Sequence, residues 1–169
     1  MSWAYVILGL VALQRLAEMA YAGRNTRALM ARGAVEVGRA HYPLIVALHA
    51  AWLVAIVAFL PRAAGISVPF LALFLLLQGL RLWVLAALGP YWTTRIVTLP
   101  GAPLVKRGPY RFIRHPNYAV VAGEIAALPL VFGEIAVAIV FSALNAIILF
   151  WRIRQEDRAL AARRAGAAA

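Results

Sequence analysis

The sequence predicts an all-α integral membrane protein: one domain over residues 1–169, about five transmembrane helices with the last two forming a tight hairpin, and a long cytoplasmic loop. Three observations lead there. Of the residues, 64% are hydrophobic and only 14% are charged, against roughly 45–50% apolar and about 25% charged in an ordinary soluble domain. Five apolar stretches approach the roughly 20 residues that a helix needs to cross about 30 Å of hydrocarbon. The cations, 17 Lys and Arg against 6 Asp and Glu, gather between those stretches instead of spreading evenly.

The same figures exclude other classes. A net charge of +11 in a soluble chain would suggest nucleic acid binding, but a mean hydropathy of +0.83 removes that reading. Disorder goes with it, because disorder requires low hydrophobicity. With no cysteine the chain has no disulfide framework, thiolate metal site or cysteine nucleophile. The histidines have no metal-ligand spacing, so neither a metal nor a nucleic acid partner is expected.

Taken in order, the spans are about 3–21, 41–60, 66–88, 118–132 and 134–151. The first is not a secretory signal, since it lacks a basic leader and carries Arg15 and Glu18 with no cleavage site following. Pro61, Gly65 and Pro69 punctuate the turn between the second and third spans. Gly89, Pro90, Pro100, Gly101, Pro103, Gly108, Pro109 and Pro116 break residues 89–117 into a long irregular loop. Loops of that length in compact proteins are usually functional. The fourth span is short, and Gly133 alone separates it from the fifth. A C-terminal cytoplasmic helix follows at 152–164, ending in an alanine-rich tail.

Cytoplasmic loops are enriched in Lys and Arg. Arg24, Arg27, Arg32 and Arg39 follow the first span. Arg95, Lys106, Arg107, Arg111 and Arg114 follow the third, and Arg152, Arg154, Arg158, Arg163 and Arg164 follow the fifth. Only Arg62 falls in the opposite connection. Five spans with the N-terminus outside put all three basic regions in the cytoplasm, as in a bacterial inner membrane. The excess of cations is therefore a topology signal, attractive also to anionic headgroups.

Two polar constellations stand out. One is Lys106 to Tyr118, reading G-x-Y-x-x-x-R-H-P-x-Y from Gly108; the other is R-I-x-x-E-[ED]-x-x-L from Arg152 to Leu160. Together they resemble the isoprenylcysteine carboxyl methyltransferases and their bacterial relatives. The two motifs and the apolar hairpin between them cover roughly the C-terminal half. The N-terminal half is similar in hydropathy and in a His-Tyr-Pro and Leu-His-Ala pattern, His41 to Pro43 and Leu48 to Ala50, of a bacterial subgroup that methylates alkylpyrones or alkylresorcinols.

The resemblance implies a membrane methyltransferase that uses S-adenosyl-L-methionine without a dinucleotide-binding fold, and no GxGxxG follows a strand here. It implies a cofactor-binding loop with contacts from Ala102, Pro103, Leu104 and Val105, then Tyr110, then His115, Pro116, Asn117 and Tyr118, and finally Glu156. Arg152 would address a lipophilic acceptor. Many relatives carry a cofactor-contacting glutamine seven residues before the Ala102 position; Arg95 stands there in this chain, and either it substitutes or the register shifts. A short Ala and Arg tail after Leu160 favours a lipid-like small acceptor, with prenylcysteine carboxylate the main alternative and phospholipid amines third.

The chemistry of these residue types agrees. A carboxylate suits an ammonium or ribose hydroxyls, and backbone amides freed by proline-rich turns suit a carboxylate or an adenine edge. Tyrosine faces attract a sulfonium cation. Methyl transfer is an in-line displacement that gains mostly from orientation, and an arginine can hold an acceptor oxyanion by charge-assisted hydrogen bonds.

Plainer readings stand beside these. Arginines near a membrane ordinarily set topology, Arg152 and Glu156 are spaced as a helical ion pair, and His115 could merely open a helix before Pro116. His41 and His49 read as packing residues. Ionisable groups inside spans default to functional candidates. Glu124, on the stripe of Asn117 and Val121, could face the acceptor pocket or pair with Arg81; Asn145 could reach the acceptor or bridge helices. Arg15 and Glu18 read as a structural pair. A non-catalytic scaffold or transporter using Arg81, Glu124 and Asn145 as a polar path is the rival class.

Overall fold

The computed structural model describes residues 3–39, 42–61 and 65–166, with side chains through residue 161. His41, Arg62, the side chains of Arg163 and Arg164, and the final three alanines of the tail lie outside the described residues. Five helices carry the fold: α1 (Trp3–Ala31), α2 (Tyr42–Phe59), α3 (Val68–Leu88), α4 (Pro116–Val131) and α5 (Ile135–Gly166). Four of them are long and apolar enough to cross a membrane; α4, with 16 residues, is shorter. Their outer faces leave Leu10, Leu13, Val54, Leu75, Leu76, Leu82, Ile139 and Ile147 exposed. Such a surface is stable only against lipid, so the chain is an integral membrane protein.

Two boundaries move from those expected. The first helix runs ten residues past Tyr21, so Arg24 and Arg27 are helical and not in a loop. The fifth span and the C-terminal helix are one continuous element of 32 residues. At 1.5 Å per residue it is about 48 Å long and must project beyond a hydrocarbon layer of about 30 Å.

The helices are not quite everything. Val35–Val37 (β1) pairs antiparallel with Ile96–Thr98 (β2), Glu36 lying opposite Val97. This short ladder straps the α1–α2 connection onto the long loop. The loop also holds single 3-10 turns at Gly89–Tyr91 and Gly108–Arg111.

Helix packing in lipid depends on close fit and on polar contacts between helices. Gly123 of α4 meets α3 so closely that an added Cβ would lie 2.9 Å from Leu77. Trp52 and Ile56 of α2 are fully buried among Leu8, Phe74, Ile125, Leu128 and Val137, and the Trp52 indole donates to the Ile125 carbonyl at 3.2 Å. Gly133, at φ +79°, makes the hairpin turn from α4 to α5. The amide of Ser67 bonds the Val131 carbonyl at 2.8 Å, which brings the α2–α3 and α4–α5 turns to one end. The three basic segments occupy the other end, where β1 joins β2 and α5 touches the long loop.

Candidate active site

At that basic end the loop between α3 and α4 folds over the bundle and encloses a cavity of about 330 Å³, walled by residues of α1, α3, the loop, α4 and α5. Such a volume is in the range of small-molecule sites. Pro-rich turns shape the roof. Gly108 sits at φ +59°, and a Cβ there would meet the Ala87 Cβ at 2.8 Å, so only glycine lets the loop lie this close to α3. The Arg107 guanidinium then ties the loop down by donating to the Ala87 carbonyl at 2.8 Å. Pro116 opens α4 at its first turn, where a missing N–H costs nothing.

The cavity wall contains Pro103, Leu104, Val105, Tyr110, His115, Asn117, Tyr118, Arg152 and Glu156. Two motifs some 35 residues apart in sequence therefore meet on one surface. Their contacts are specific. The Tyr118 hydroxyl donates to the Glu156 carboxylate and accepts from Arg152 Nε at 2.8 Å. Arg152 Nη2 donates to the Thr94 carbonyl at 2.7 Å. His115 stacks on Tyr118, ring centroids 5.3 Å apart, while its Nε2 meets Asp157 Oδ1 at 3.1 Å. The Tyr110 phenol is pushed above the ordinary tyrosine range by burial and then by the Glu156 charge, so it stays a protonated donor.

Three buried polar atoms of wall residues have no protein partner: Arg152 Nη1, Trp92 Nε1 and Asn117 Oδ1. Buried polar groups are nearly always bonded. These two donors and one acceptor are buried within the wall, which they make polar. Glu156 offers a carboxylate for an ammonium or ribose hydroxyls, and Tyr110, His115 and Tyr118 offer aromatic surface, so the lining fits S-adenosyl-L-methionine. Among the described residues no group of three His, Asp or Glu side chains could hold a metal ion.

Other expected site residues sit elsewhere. Ala102 and Pro116 do not line the cavity; Ala102 closes a turn onto Leu99 at 3.2 Å, and Pro116 is buried behind the wall. Arg95 reaches the wall, but its guanidinium bonds Glu36 at 2.9 Å and lies 4.6 Å from the Tyr42 ring centroid, so it braces the β ladder. Glu124 and Asn145 also stay out of the lining. Glu124 does share a face with Asn117, and Asn145 with Arg152, but each lies seven residues, about 10 Å, deeper along its helix. Glu124 is bonded to Arg81 Nη1 at 3.0 Å and to Arg15 Nη2 at 2.8 Å. Of its two readings the pairing with Arg81 is the one observed. Arg15 and Glu18 do pair, at 3.3 Å, within that same cluster.

Sequence reasoning missed Trp92, Thr94 and Asp157 as parts of the site. Asp157 was visible as the second acid of the C-terminal motif. Trp92 and Thr94 carried no spacing signal; Asn25 of α1 positions Trp92 by donating to its carbonyl at 2.9 Å. A separate apolar groove of about 390 Å³ lies between α2 and α5, lined by Leu44, Leu48, Phe141, Leu144 and Ile148 among others.

Comparison with known proteins agrees with this geometry. A sequence model described as the isoprenylcysteine carboxyl methyltransferase (ICMT) family matches residues 70–162, from α3 through the loop to α5. An uncharacterized Bacillus subtilis protein, YpbQ, is 38% identical over 162 residues, covering 92% of this chain and 95% of that protein. An uncharacterized Haemophilus influenzae protein is 27% identical over 145 residues, covering 81% and 83% respectively. No solved structure matches significantly.

Proposed function

The chain belongs to the isoprenylcysteine carboxyl methyltransferase family and is a membrane methyltransferase, and from that premise we propose that it methylates an oxygen of a lipophilic acceptor with S-adenosyl-L-methionine. The observation that carries this reading is the Tyr118 hydroxyl bonded to both Arg152 and Glu156 in one cavity wall. An acceptor-holding cation and a cofactor-holding carboxylate are thereby side by side.

The residues that would hold the cofactor are the 103–105 segment, Tyr110, His115, Asn117, Tyr118 and Glu156. Bound there, it supplies an electrophilic methyl group on a sulfonium sulfur. Asp157 holds the His115 ring against Tyr118, and Tyr110 presents a phenolic O–H. Arg152 is fixed by Tyr118 and Thr94 with Nη1 left without a protein partner, and a guanidinium suits a carboxylate or phenolate oxygen. Ordered walls of this kind favour an in-line displacement by orientation.

The acceptor class follows from where the cavity lies. It opens at the basic end, which the bias of Lys and Arg assigns to the cytoplasmic face of the membrane, so a soluble cofactor enters from that side. A lipid-like acceptor would approach through the bilayer, and the α2–α5 groove supplies an apolar seat for an alkyl stem. The subgroup resemblance points to an alkylpyrone or alkylresorcinol hydroxyl, while the family match favours the second reading, a prenylcysteine carboxylate. Membranes containing the protein are to be incubated with methyl-labelled cofactor and each acceptor, then extracted. Base-stable label in the lipid identifies an ether, base-labile label an ester, and no transfer to any lipid overturns the proposal.

A further inference from the structure

Beneath the cavity floor lies a set of polar side chains that the methyl transfer reading does not use. Arg81, at mid-helix in α3, is its hub. Its Nε and Nη2 donate to the two oxygens of Glu18 of α1 at 2.6 and 2.5 Å, and its Nη1 donates to Glu124 of α4 at 3.0 Å. Arg15 of α1 bonds both acids, at 3.3 Å to Glu18 and 2.8 Å to Glu124. Gln78 of α3 donates to Glu124 at 2.9 Å, and Gln14 of α1 bonds both Gln78 and Glu18.

Two arginines and two glutamates balance, so the cluster needs no bound ion. That neutrality argues against the transporter reading, in which an intramembrane charge would await a cargo. Asn145, the third member of that supposed path, takes no part in these bonds.

Two routes lead from the cluster to the cavity. The Arg81 guanidinium lies 5.9 Å from the ring centroid of Trp92, a cavity wall residue held from α1 by Asn25. Glu124 lies six residues after Tyr118 on α4, and Tyr118 holds Arg152 and Glu156. Polar contacts inside a bilayer have fixed direction and few competitors, so they define how far one helix slides along another. On α4 the cluster adds the side-chain tie to α1 and α3, beside the bonds that Ile125 and Val131 accept from Trp52 and Ser67.

We propose that this neutral cluster is a positioning device: it sets the axial register of α4 against α1 and α3 and seats the Trp92 ring, so that Tyr118, with the Arg152 and Glu156 it orients, and Trp92 meet the cavity correctly. Glu124 and Arg81 are positioning residues and touch no substrate. The inference rests on the methyl transfer reading for its activity readout, and on hydrogen exchange for an independent one.

The test uses the purified full chain with S-adenosylhomocysteine as cofactor probe and whichever acceptor the wild type methylates. Glu124→Gln leaves the cluster with one excess positive charge, and Arg15→Gln added to it restores neutrality. Glu124→Gln is expected to lower kcat roughly ten- to a hundredfold, the size that a small misplacement produces, and to weaken S-adenosylhomocysteine binding severalfold, because Tyr118 and the His115 ring stacked on it move together. The double variant is expected to recover most of the loss. Amide exchange should rise at 92–94 and 115–118 in the single variant and fall back in the double. Gln78→Leu, which keeps all four charges, should act in the same direction but more weakly, and serves if Glu124→Gln does not fold. Wild-type kcat and exchange in folded Glu124→Gln, or in Gln78→Leu where that variant stands in, overturns the proposal. So does a folded double variant as impaired as the single. If the wild type methylates nothing, the functional reading falls, while the exchange pattern still decides the positioning role.

Discussion

The Tyr118 hydroxyl is shared between Arg152 and Glu156: it accepts from the Arg152 guanidinium at 2.8 Å and donates to the Glu156 carboxylate. One phenol thereby orients the two charged groups that the functional reading assigns to different substrates. Tyr118→Phe keeps the ring under His115 and removes both bonds. Hydrogen bonds to charged groups are worth about 1.5–3 kcal/mol each. The variant should therefore bind S-adenosylhomocysteine at least roughly tenfold more weakly and also raise the acceptor KM. Calorimetry and initial rates check this; an unchanged affinity with unchanged KM would remove Tyr118 from the site.

Arg152→Lys separates charge from shape. Lysine keeps the cation but cannot present Nε to Tyr118, Nη2 to Thr94 and Nη1 to a ligand at once. The acceptor KM should rise roughly tenfold or more while cofactor affinity changes little. An equal loss in both would place Arg152 in the cofactor subsite instead.

Asp157→Asn and His115→Ala should be strongly non-additive, because Asp157 acts on the cavity through the His115 ring at 3.1 Å. Each single variant should weaken S-adenosylhomocysteine binding severalfold, and the double should be little worse than His115→Ala. Additive losses in a double-mutant cycle would show that the two side chains act separately.

Gly108→Ala should be among the most damaging single-methyl changes in the loop. It combines a φ of +59° with a Cβ placed 2.8 Å from that of Ala87, and strain of this kind costs about 1–3 kcal/mol. Thermal unfolding should shift downward and amide exchange should rise through the neighbouring roof. Gly33→Ala, with a positive φ but open space around it, isolates the backbone cost and should destabilise less.

Glu36→Gln should be mild by comparison. The Glu36 side chain is only 6% exposed, but both its partners, Arg95 and Arg39, are exposed. Pairs to exposed arginines contribute about 0–1 kcal/mol each, and glutamine keeps an oxygen to accept from them. Only local exchange at β2 should increase, with cofactor affinity near wild type. A large loss of affinity would restore Arg95 to the cofactor site.

Much of this was legible without coordinates, and the reason is dimensional. Span positions, the basic bias of one end and the two motifs are properties of short windows, where hydropathy and spacing speak directly. The meeting of Tyr110, His115 and Tyr118 with Arg152 and Glu156 was legible too, because an apolar hairpin of two spans must return α5 to the level where α4 began. Depth was the harder matter. Glu124 and Asn145 share helical faces with the lining residues Asn117 and Arg152, yet seven residues of rise put each about 10 Å deeper along its helix.

The sequence alone thus determined that the chain is a helical membrane protein with a motif-bearing basic end, since bilayer thickness and charge leave few other arrangements. Only the tertiary structure decided which helices are neighbours. Arg81 finds Glu18 from 63 residues away and Glu124 from 43, and Asn25 finds Trp92 from 67. Strands of three residues are too short to show a period. Such pairings are set by packing between distant segments, which no local window contains, and they tie Glu124 of α4 to Arg15 of α1 and Arg81 of α3.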